Sequence, residues 1–297
     1  MSKINLMALR HSAFYTPYLM TMAGGFLKQQ GLDYDYQPEN AQCTVADSFF
    51  NGSCDVAQSA VATSFAALEN GRQADWVHFA QINARDGFFI AAREPDLDFR
   101  WSKLQGKKVL VDHFFQPLAM LKYGLHKKNV NFQLLKVQDA GDVNQIEQAF
   151  RSGQADYVHM QGPAPQQLEY EGIGYVVASV GEAVGPVAFS SLCATSEWLK
   201  TDMATAFLQA YKAAKHYVLN APAEEIAARE QEAGFFPEIN PDVLISTIDA
   251  YQCLGCWQTE LNISRSSYEN LLDVFLYSGA ITQRHAYEKV IQAPPIT

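Results

Sequence analysis

Cysteine is scarce in this sequence of 297 residues, which contains five, an odd number. A sparse, odd set in a long chain does not make a disulfide scaffold, so reduced thiols are the expected state. Cys253 and Cys256 have the CxxC spacing, but the sequence gives them no second pair and no histidine cluster. We expect both to be structural residues on a helix from Pro241 to Glu260, with a redox or metal-binding role as the alternative.

Charged residues are also few, at 18% of the chain, and most of them are acidic. The 32 Asp and Glu outnumber the 22 Lys and Arg, which gives a net charge of -10 and a pI near 5.1. Such a charge repels nucleic-acid phosphates and anionic lipids, so we exclude nucleic acid and membrane surfaces as partners. No stretch approaches about 18 uninterrupted apolar residues, so we expect no membrane insertion.

The N-terminus lacks a long apolar run as well. Met1 to Leu9 is too short for the hydrophobic region of a secretory signal, and Arg10 and His11 follow it at once. We predict a first strand there. Two locations stay open: the cytoplasm for the chain as written, or the periplasm if a signal peptide has been removed.

The common catalytic and cofactor motifs do not occur in the sequence. There is no GxSxG, HExxH, P-loop or GxGxxG motif, which argues against the usual hydrolases, proteases and nucleotide-binding proteins. Five histidines are scattered without metal-ligand spacing: His78, His126, His159, His216 and His285. We therefore expect neither a metal nor a cofactor.

Apolar residues make up 48% of the chain, enough for a substantial core, and their pattern alternates strand-like runs with helical segments. This alternation predicts βαβ units and a largely parallel sheet in the first ninety residues. The predicted strands are Ile4 to Leu9, Leu32 to Tyr36, Val56 to Gln58 and Val77 to Ile82, and the predicted helices are Pro17 to Gln30, Cys43 to Asn51 and Ala60 to Asn70.

A second cycle of strands and helices begins after the polar stretch from Arg93 to Asp98, and a mostly helical tail begins at Ser196. We predict an α/β fold of two lobes joined by a two-crossover hinge, with the chain crossing back near Gly185 and Pro186. Residues 1–90 plus 190–297 are assigned to lobe I with its helical tail, residues 91–189 to lobe II, and the ligand cleft lies between them. The tail helices are predicted at Met203 to Asn220, Ala223 to Ala233, Pro241 to Glu260, Arg265 to Ser278 and Gln283 to Val290.

Four short sequence motifs occur in a fixed order and spacing over about residues 4 to 280. They are Phe14 to Leu32, with its aromatic start and glycine turn, then Asn51 to Ala57, Leu104 to Val109 and Gly153 to Asp156. In this order they resemble the alkanesulfonate, taurine and thiamine-precursor class of ABC-transporter substrate-binding proteins. The resemblance implies the type II periplasmic-binding-protein fold, with a ligand between the lobes at the carboxyl ends of the strands.

The same fold carries an enzyme branch, the thiamine-pyrimidine synthases, which hold pyridoxal phosphate on a lysine and consume a histidine. The corresponding places fall at about Ser59 and Thr63, which supply neither an amine nor an imidazole. The cysteine cluster of that branch would fall near residues 188–195, where only Cys193 occurs. Its phosphate loop would fall at residues 112–115, which contain no glycine. The resemblance therefore disfavours this chemistry.

Loops after the first predicted strand supply the first candidate ligand contacts. Arg10 and His11 offer charge-assisted donors, and Phe14 and Tyr15 offer faces for stacking. A surface arginine and packed aromatic residues are the alternative. Asn40 lies in the loop after the second strand.

Later loops supply the other candidates. Gln58 and Ser59 offer neutral hydrogen bonds, although Ser59 also suits a helix cap. Arg85 is either a ligand contact or part of a hinge ion pair with Asp86, and we favour the hinge ion pair. The remaining candidates are His113, Phe114 and Gln116 in an unusually apolar loop, whose phenylalanines equally suit the core, and Gln161 after a later strand.

These observations predict a monomeric solute-binding protein that closes around a small organic ligand and delivers it to an ABC transporter. The ligand is expected to be heterocyclic and thiamine-pyrimidine-like, or anionic and sulfonate-like. A cytosolic enzyme related to the thiamine-pyrimidine synthases is the alternative, and a ligand-sensing module is a third hypothesis.

Overall fold

The fold is built on two sheets of five strands each, in a computed structural model that describes residues 1–296. The first sheet has the order β2-β1-β3-β10-β4, and β10 runs antiparallel to both neighbours while β1 is parallel to β2 and β3. Its strands are β1 (Ser2–Ala8), β2 (Leu32–Pro38), β3 (Val56–Ala60), β4 (Val77–Asn83) and β10 (Ser190–Ala194).

The second sheet repeats this arrangement, with the order β7-β6-β8-β5-β9. Here β5 is the antiparallel strand beside β8 and β9, and β6 is parallel to β7 and β8. The strands are β5 (Phe88–Ala92), β6 (Lys108–Val111), β7 (Lys136–Gln138), β8 (Tyr157–Gln161) and β9 (Tyr175–Ser179). The predicted two-lobed α/β fold class is confirmed.

Helices cover the sheets, and several begin at a side-chain cap that the sequence provides. Thr44 caps α3, Asp142 caps α6 and Thr201 caps α9 by accepting backbone N–H groups of the first turn. In the first half of the chain the helices are α1 (Thr16–Ala23), α2 (Phe26–Gln29), α3 (Val45–Phe50), α4 (Thr63–Glu69), α5 (Phe115–Lys127) and α6 (Val143–Arg151). The others are α7 (Ala164–Tyr170), α8 (Val180–Val184), α9 (Asp202–Asn220), α10 (Ala223–Glu232), α11 (Pro241–Leu254) and α12 (Arg265–Ser278).

Three helix predictions need correction. The helix expected from Pro241 to Glu260 ends at Leu254, because Gly255 adopts a left-handed conformation with φ 68°, so Cys256 lies beyond the helix. The expected helix from Pro17 to Gln30 is interrupted, because Gly25 adopts a left-handed conformation with φ 71° and separates α1 from α2. The helix expected at Gln283 to Val290 is reduced to one 3-10 turn, Tyr287–Lys289. After that turn the chain forms a bridge between Ile291 and His78, which draws it alongside β4.

The C-terminal helices contact elements of both sheets. α9 packs against α1 and α2, and Tyr211 Oη donates a hydrogen bond to the Gln81 carbonyl of β4 at 2.7 Å. α11 contacts α7, and α12 packs against α5. The tail therefore spans the two halves of the molecule, and its apolar faces complete one continuous core that reaches residues of both sheets.

Candidate ligand-binding cleft

The chain passes between the two sheets twice, and each passage leads into a strand that is antiparallel to both of its neighbours. The first is residues 84–87, between β4 and β5, and the second is residues 180–189, between β9 and β10. Close packing fixes the first passage, because a Cβ added to Gly87 would lie 2.4 Å from the Phe14 ring. Ser12 Oγ also donates to the Gly162 carbonyl at 3.0 Å, which joins a loop after β1 to one after β8.

Two cavities of about 200 and 210 Å³ lie between the sheets, where loops after β1, β6 and β8 converge. The first cavity is bounded by the β1 loop, the start of α6 and the β8 loop, and includes Asp112 and His159. The second is bounded by the β1 loop, β3 and the start of α5, and includes Tyr15, Phe88 and Phe189. Open α/β sheets generally bind ligands at such strand ends.

Arg10 and Gln161 line both cavities, one from each side of the cleft. Arg10 Nη1 lies 3.6 Å from Asp112 Oδ2, and its guanidinium carbon is 5.8 Å from the centre of the Phe114 ring. The Arg10 backbone N–H donates to Gln58 Oε1 at 3.3 Å, which fixes the loop against β3. Arg10 therefore stands at the junction of the two cavities with its side chain turned towards the second sheet.

Seven of the sequence candidates line one or both cavities. His11 lines the first cavity, but its ring nitrogens contact Tyr36 Oη at 2.8 Å and the Phe235 carbonyl at 2.7 Å. Gln116 lines the second cavity and donates through Nε2 to the Phe189 carbonyl at 2.9 Å. The full set of candidates with a cavity position is Arg10, His11, Tyr15, Gln58, Phe114, Gln116 and Gln161.

The other five candidates have different surroundings. Phe14 is fully buried against Phe189 and Tyr251, and Asn40 is an exposed turn residue whose Oδ1 accepts from the Gln42 N–H. The remaining three make local contacts: Ser59 Oγ with Thr63 Oγ1, Arg85 Nη1 with the Gly181 carbonyl, and His113 Nδ1 with the Val111 carbonyl.

Several cavity residues escaped the sequence analysis. Asp112 directly follows β6, and the sequence places it only in the region of a phosphate loop; its position after a buried strand is the signal that indicates a cleft residue. His159 lies inside β8, stacked on Phe88 with ring centres 4.7 Å apart, and no sequence pattern distinguishes it from a core residue. Phe189 lies in the second crossover, where no strand was predicted.

Burial shifts the pKa of the ionisable groups at the back of the cleft. The Asp86 carboxyl is fully buried, and burial raises its pKa to about 8, with the negative charge of Asp112 adding to the effect. Its Oδ1 accepts from the Phe88 N–H at 2.6 Å. Burial likewise lowers the pKa of His159 to about 3, with His113 contributing, so this imidazole is neutral at physiological pH.

The described residues contain no arrangement of side chains that could bind a metal ion, and this includes the cysteines. Within residues 1–296, no cluster of three or more His, Cys, Asp or Glu side chains has the geometry to hold a metal ion. All five cysteines are unpaired; Cys256 is buried and Cys253 is exposed at the end of α11. In the same residues no helix combines the length and the apolar character needed to cross a membrane.

Two sheets of this strand order, joined by two crossovers and with a cleft at their carboxyl ends, define the two-lobed periplasmic-binding-protein fold. The solved structures agree. The ligand-binding component of an ABC-type import system from Staphylococcus aureus, solved with zinc bound, matches with a TM-score of 0.76 at 14% identity, covering 99% of this chain and 97% of that one. The periplasmic aliphatic sulphonate binding protein SsuA from Escherichia coli matches with a TM-score of 0.74 at 14% identity, covering 99% and 93%.

The sequence comparisons identify the family. The model of the family described as NMT1/THI5 like matches residues 13–225, and the chain belongs to this family. The Bacillus subtilis (strain 168) protein YtlA, a binding protein by name, is 28% identical over 296 residues, which cover 98% of this chain and 88% of YtlA. The expected relationship to substrate-binding proteins and the periplasmic-binding-protein fold are thus confirmed.

Proposed function

We propose that this protein binds a small organic solute in the cleft and delivers it to an ABC-type importer. The observation that carries the proposal is the position of Arg10 and Gln161, which belong to opposite sheets and line the same two cavities. A ligand in either cavity touches both sides of the cleft and favours the arrangement in which they are close. When the cleft closes around a solute, the protein adopts a conformation that a membrane partner can distinguish from the unloaded one.

The other parts of the proposal follow from the relatives. The S. aureus neighbour is by name a component of an import system, and the E. coli neighbour is by name periplasmic. We accordingly propose a location outside the cytoplasmic membrane and a transporter permease as partner. That the protein acts as a monomer is a separate part of the proposal. We also propose that the moving units are residues 91–189 and the rest of the chain, with boundaries near residues 90 and 190. The proposed site consists of the seven predicted candidates that line a cavity together with Asp112.

A thermal-shift screen with amino acids, polyamines, sulfonates and heterocycles tests the binding function. A solute at about 100 times its Kd raises the free energy of unfolding by about 2.7 kcal/mol. Arg10→Ala should weaken binding of an anionic or neutral solute by about tenfold or more, because a charge-assisted contact is lost at the junction of the cavities, and should not weaken binding of a cationic solute, which the guanidinium repels. Arg72→Ala is the matched control, since Arg72 is exposed and lines neither cavity.

The outcomes separate binding from other roles. Recovery of an intact solute from the denatured complex supports the proposal. Recovery of a chemically altered solute contradicts it, and so does a complete absence of thermal shift across the screen and across a small-molecule cell extract.

A further inference from the structure

The charges that line the cleft are mostly negative. Carboxylates in the two linings come from Glu39, Asp112 and Glu147. Among the described residues 1–296, Arg10 is the one Lys or Arg side chain that lines either cavity. Glu147 is paired with Arg151 outside the lining at 2.6 Å, and Asp112 lies 3.6 Å from Arg10, so Glu39 is the lining carboxylate without a recorded ion pair among residues 1–296. An anionic solute would meet this surface with little cationic compensation, whereas a cationic solute would gain from it.

The chain's own carboxylates occupy backbone N–H groups at the starts of α3 and α6. Helix N-termini bind anions through their free N–H groups, and α6 begins at the wall of the first cavity. Asp142 Oδ1 accepts from the Asn144 N–H at 2.9 Å at the start of α6, and Glu39 Oε2 accepts from the Val45 N–H at 2.8 Å at the start of α3. At α5, Asp112 Oδ1 accepts from the N–H of Phe114, the residue before the helix, at 2.9 Å, which places its carboxylate beside that helix start. An anionic ligand would meet a carboxylate at each of these three helix starts.

The polar atoms left without partners in the linings are mainly acceptors. Asp112 Oδ2 in the first cavity and Gln116 Oε1 in the second are buried and accept no hydrogen bond in the described chain, although Arg10 Nη1 lies 3.6 Å from Asp112 Oδ2. The Gln116 amide nitrogen is committed to the Phe189 carbonyl, so its oxygen is the atom left over. Both residues are more than nine-tenths buried, and a buried acceptor without a partner costs free energy that a donor on the ligand would recover.

Aromatic rings supply the remaining surface of the second cavity. Tyr15, Phe88, Phe114 and Phe189 all line it, and Phe114 is 57% exposed although its neighbours in the cleft are buried. The negative faces of such rings attract ammonium and amidinium groups, most strongly where water is excluded. With the Glu39 carboxylate and the Gln116 side-chain oxygen of the same cavity, these faces form a surface that is complementary to an organic cation.

We propose that the ligand of this cleft is a small organic cation that carries N–H donors, such as an amine or amidine on an aromatic or aliphatic body. Asp112 and Gln116 accept its N–H groups, and the aromatic rings enclose its body. This inference rests on the proposed binding function and narrows it to one ligand class, which differs from the sulphonate named for the E. coli neighbour.

Probes with one skeleton and three charges test the ligand class. Benzylamine, benzyl alcohol and phenylmethanesulfonate are titrated into the full chain by calorimetry at pH 7. We expect benzylamine to bind at least about tenfold more tightly than the alcohol, and the sulfonate to bind more weakly still. Tighter binding of the sulfonate, equal binding of the amine and the alcohol, or no binding of the amine would each overturn the inference.

The variant Asp112→Asn assigns the effect to the proposed carboxylate. Asparagine keeps an oxygen for the Phe114 N–H, so the start of α5 is preserved, but the negative charge is lost. Benzylamine affinity should fall by about tenfold or more, while sulfonate affinity stays the same or rises. Asp139→Asn is the matched control, since Asp139 is exposed and lines neither cavity. Equal losses in both variants would contradict the inference.

The two proposals fail in distinguishable ways. If the amine does not bind but another solute of the thermal-shift screen does, the inference about charge is wrong and the binding function stands. If no solute of the screen, no extract component and no probe binds, the binding function itself is wrong.

Discussion

At the scale of single residues, Glu230 is the most unusual ionisable group outside the cleft. It lies on α10, is fully buried, and neither carboxyl oxygen has a recorded hydrogen-bond partner in the structure. Burial raises its pKa to about 8, and a contact with the Thr16 side chain opposes the shift in part. The folded protein therefore holds a proton on Glu230 at pH values where an unfolded chain has released it.

Glu230→Gln should flatten the dependence of stability on pH. Between about pH 4.5 and 8 the folded state binds one more proton than the unfolded state at this site. The free energy of unfolding should therefore fall as the pH rises, by up to about 1.4 kcal/mol per pH unit. Glutamine imitates the protonated carboxyl and removes this contribution. Urea denaturation from pH 5 to 8 measures both slopes.

The control for this change is Glu232→Gln, on the same helix but exposed. It should leave the slope as in the unmodified protein. Asp86 has a similarly raised pKa, so a second part of the slope remains in Glu230→Gln. If the curves of Glu230→Gln and the unmodified protein run parallel, Glu230 titrates at an ordinary pKa.

At the scale of elements, the start of α6 joins a helix cap to the wall of the first cavity. Asp142 Oδ1 accepts from the Asn144 and Gln145 N–H groups at 2.9 Å, and Gln145 Oε1 accepts from the Asp142 N–H at 2.8 Å. This reciprocal pair is a capping box. Val143 and Asn144 line the cavity, so the cap holds part of the site in position.

Asp142→Ala should destabilise the protein by about 1 kcal/mol, because two N–H groups lose their acceptor. Asp142→Asn keeps the acceptor oxygen and should cost much less. Chemical denaturation of both variants checks the difference. Equal losses would mean that the charge of Asp142, and not its capping bond, stabilises α6.

The elements also show how far the sequence predicts the structure. α12 has the predicted bounds, Arg265 to Ser278, because a serine cap, an amphipathic pattern and a terminal glycine all agree. β5 and β10 were not predicted, since both are only five residues long and are buried on both faces, so neither shows the alternation of apolar and polar residues that marks a half-buried strand. Their pairing is decided by contacts distant in sequence, which local pattern does not report.

The candidate site was predictable to the extent that it follows strand ends. Arg10 and Gln161 were found because each comes at the end of a strand. Phe14 follows the same strand but is buried, because Gly87 leaves room for its ring. Asp112 has two roles, as the acceptor of the Phe114 N–H before α5 and as a wall of the first cavity, and only the packed structure brings these two roles together.

At the scale of the whole molecule, Tyr251 connects three parts of the fold. From α11 its hydroxyl accepts the Gly162 N–H at 2.9 Å and donates to the Gly87 carbonyl at 3.1 Å. Gly87 lies in the first crossover, and Gly162 lines the first cavity after β8. One buried hydroxyl thus fixes the C-terminal tail to the crossover and to the ligand cleft.

Tyr251→Phe should lower the free energy of unfolding by about 1–3 kcal/mol, since the buried Gly162 N–H loses its partner. Ligand affinity should fall with it, because the Gly162 loop forms a cavity wall. Denaturation and calorimetry measure the two effects. Tyr277→Phe removes a hydroxyl from a half-exposed ring and should change stability by less than about 0.5 kcal/mol; a comparable loss there would contradict the special role of Tyr251.

The return of β10 to the first sheet sets an order for folding during synthesis. All five strands of the second sheet lie between Phe88 and Ser179, so that sheet is complete in a growing chain before β10 has been made. The first sheet has β3 and β4 joined only through β10, and until Ser190 to Ala194 leave the ribosome β4 has no neighbour. The N-terminal strands of the first sheet are therefore made first, but that sheet is completed last. Until β10 has been made, β3 and β4 are the sheet edges most open to mispairing.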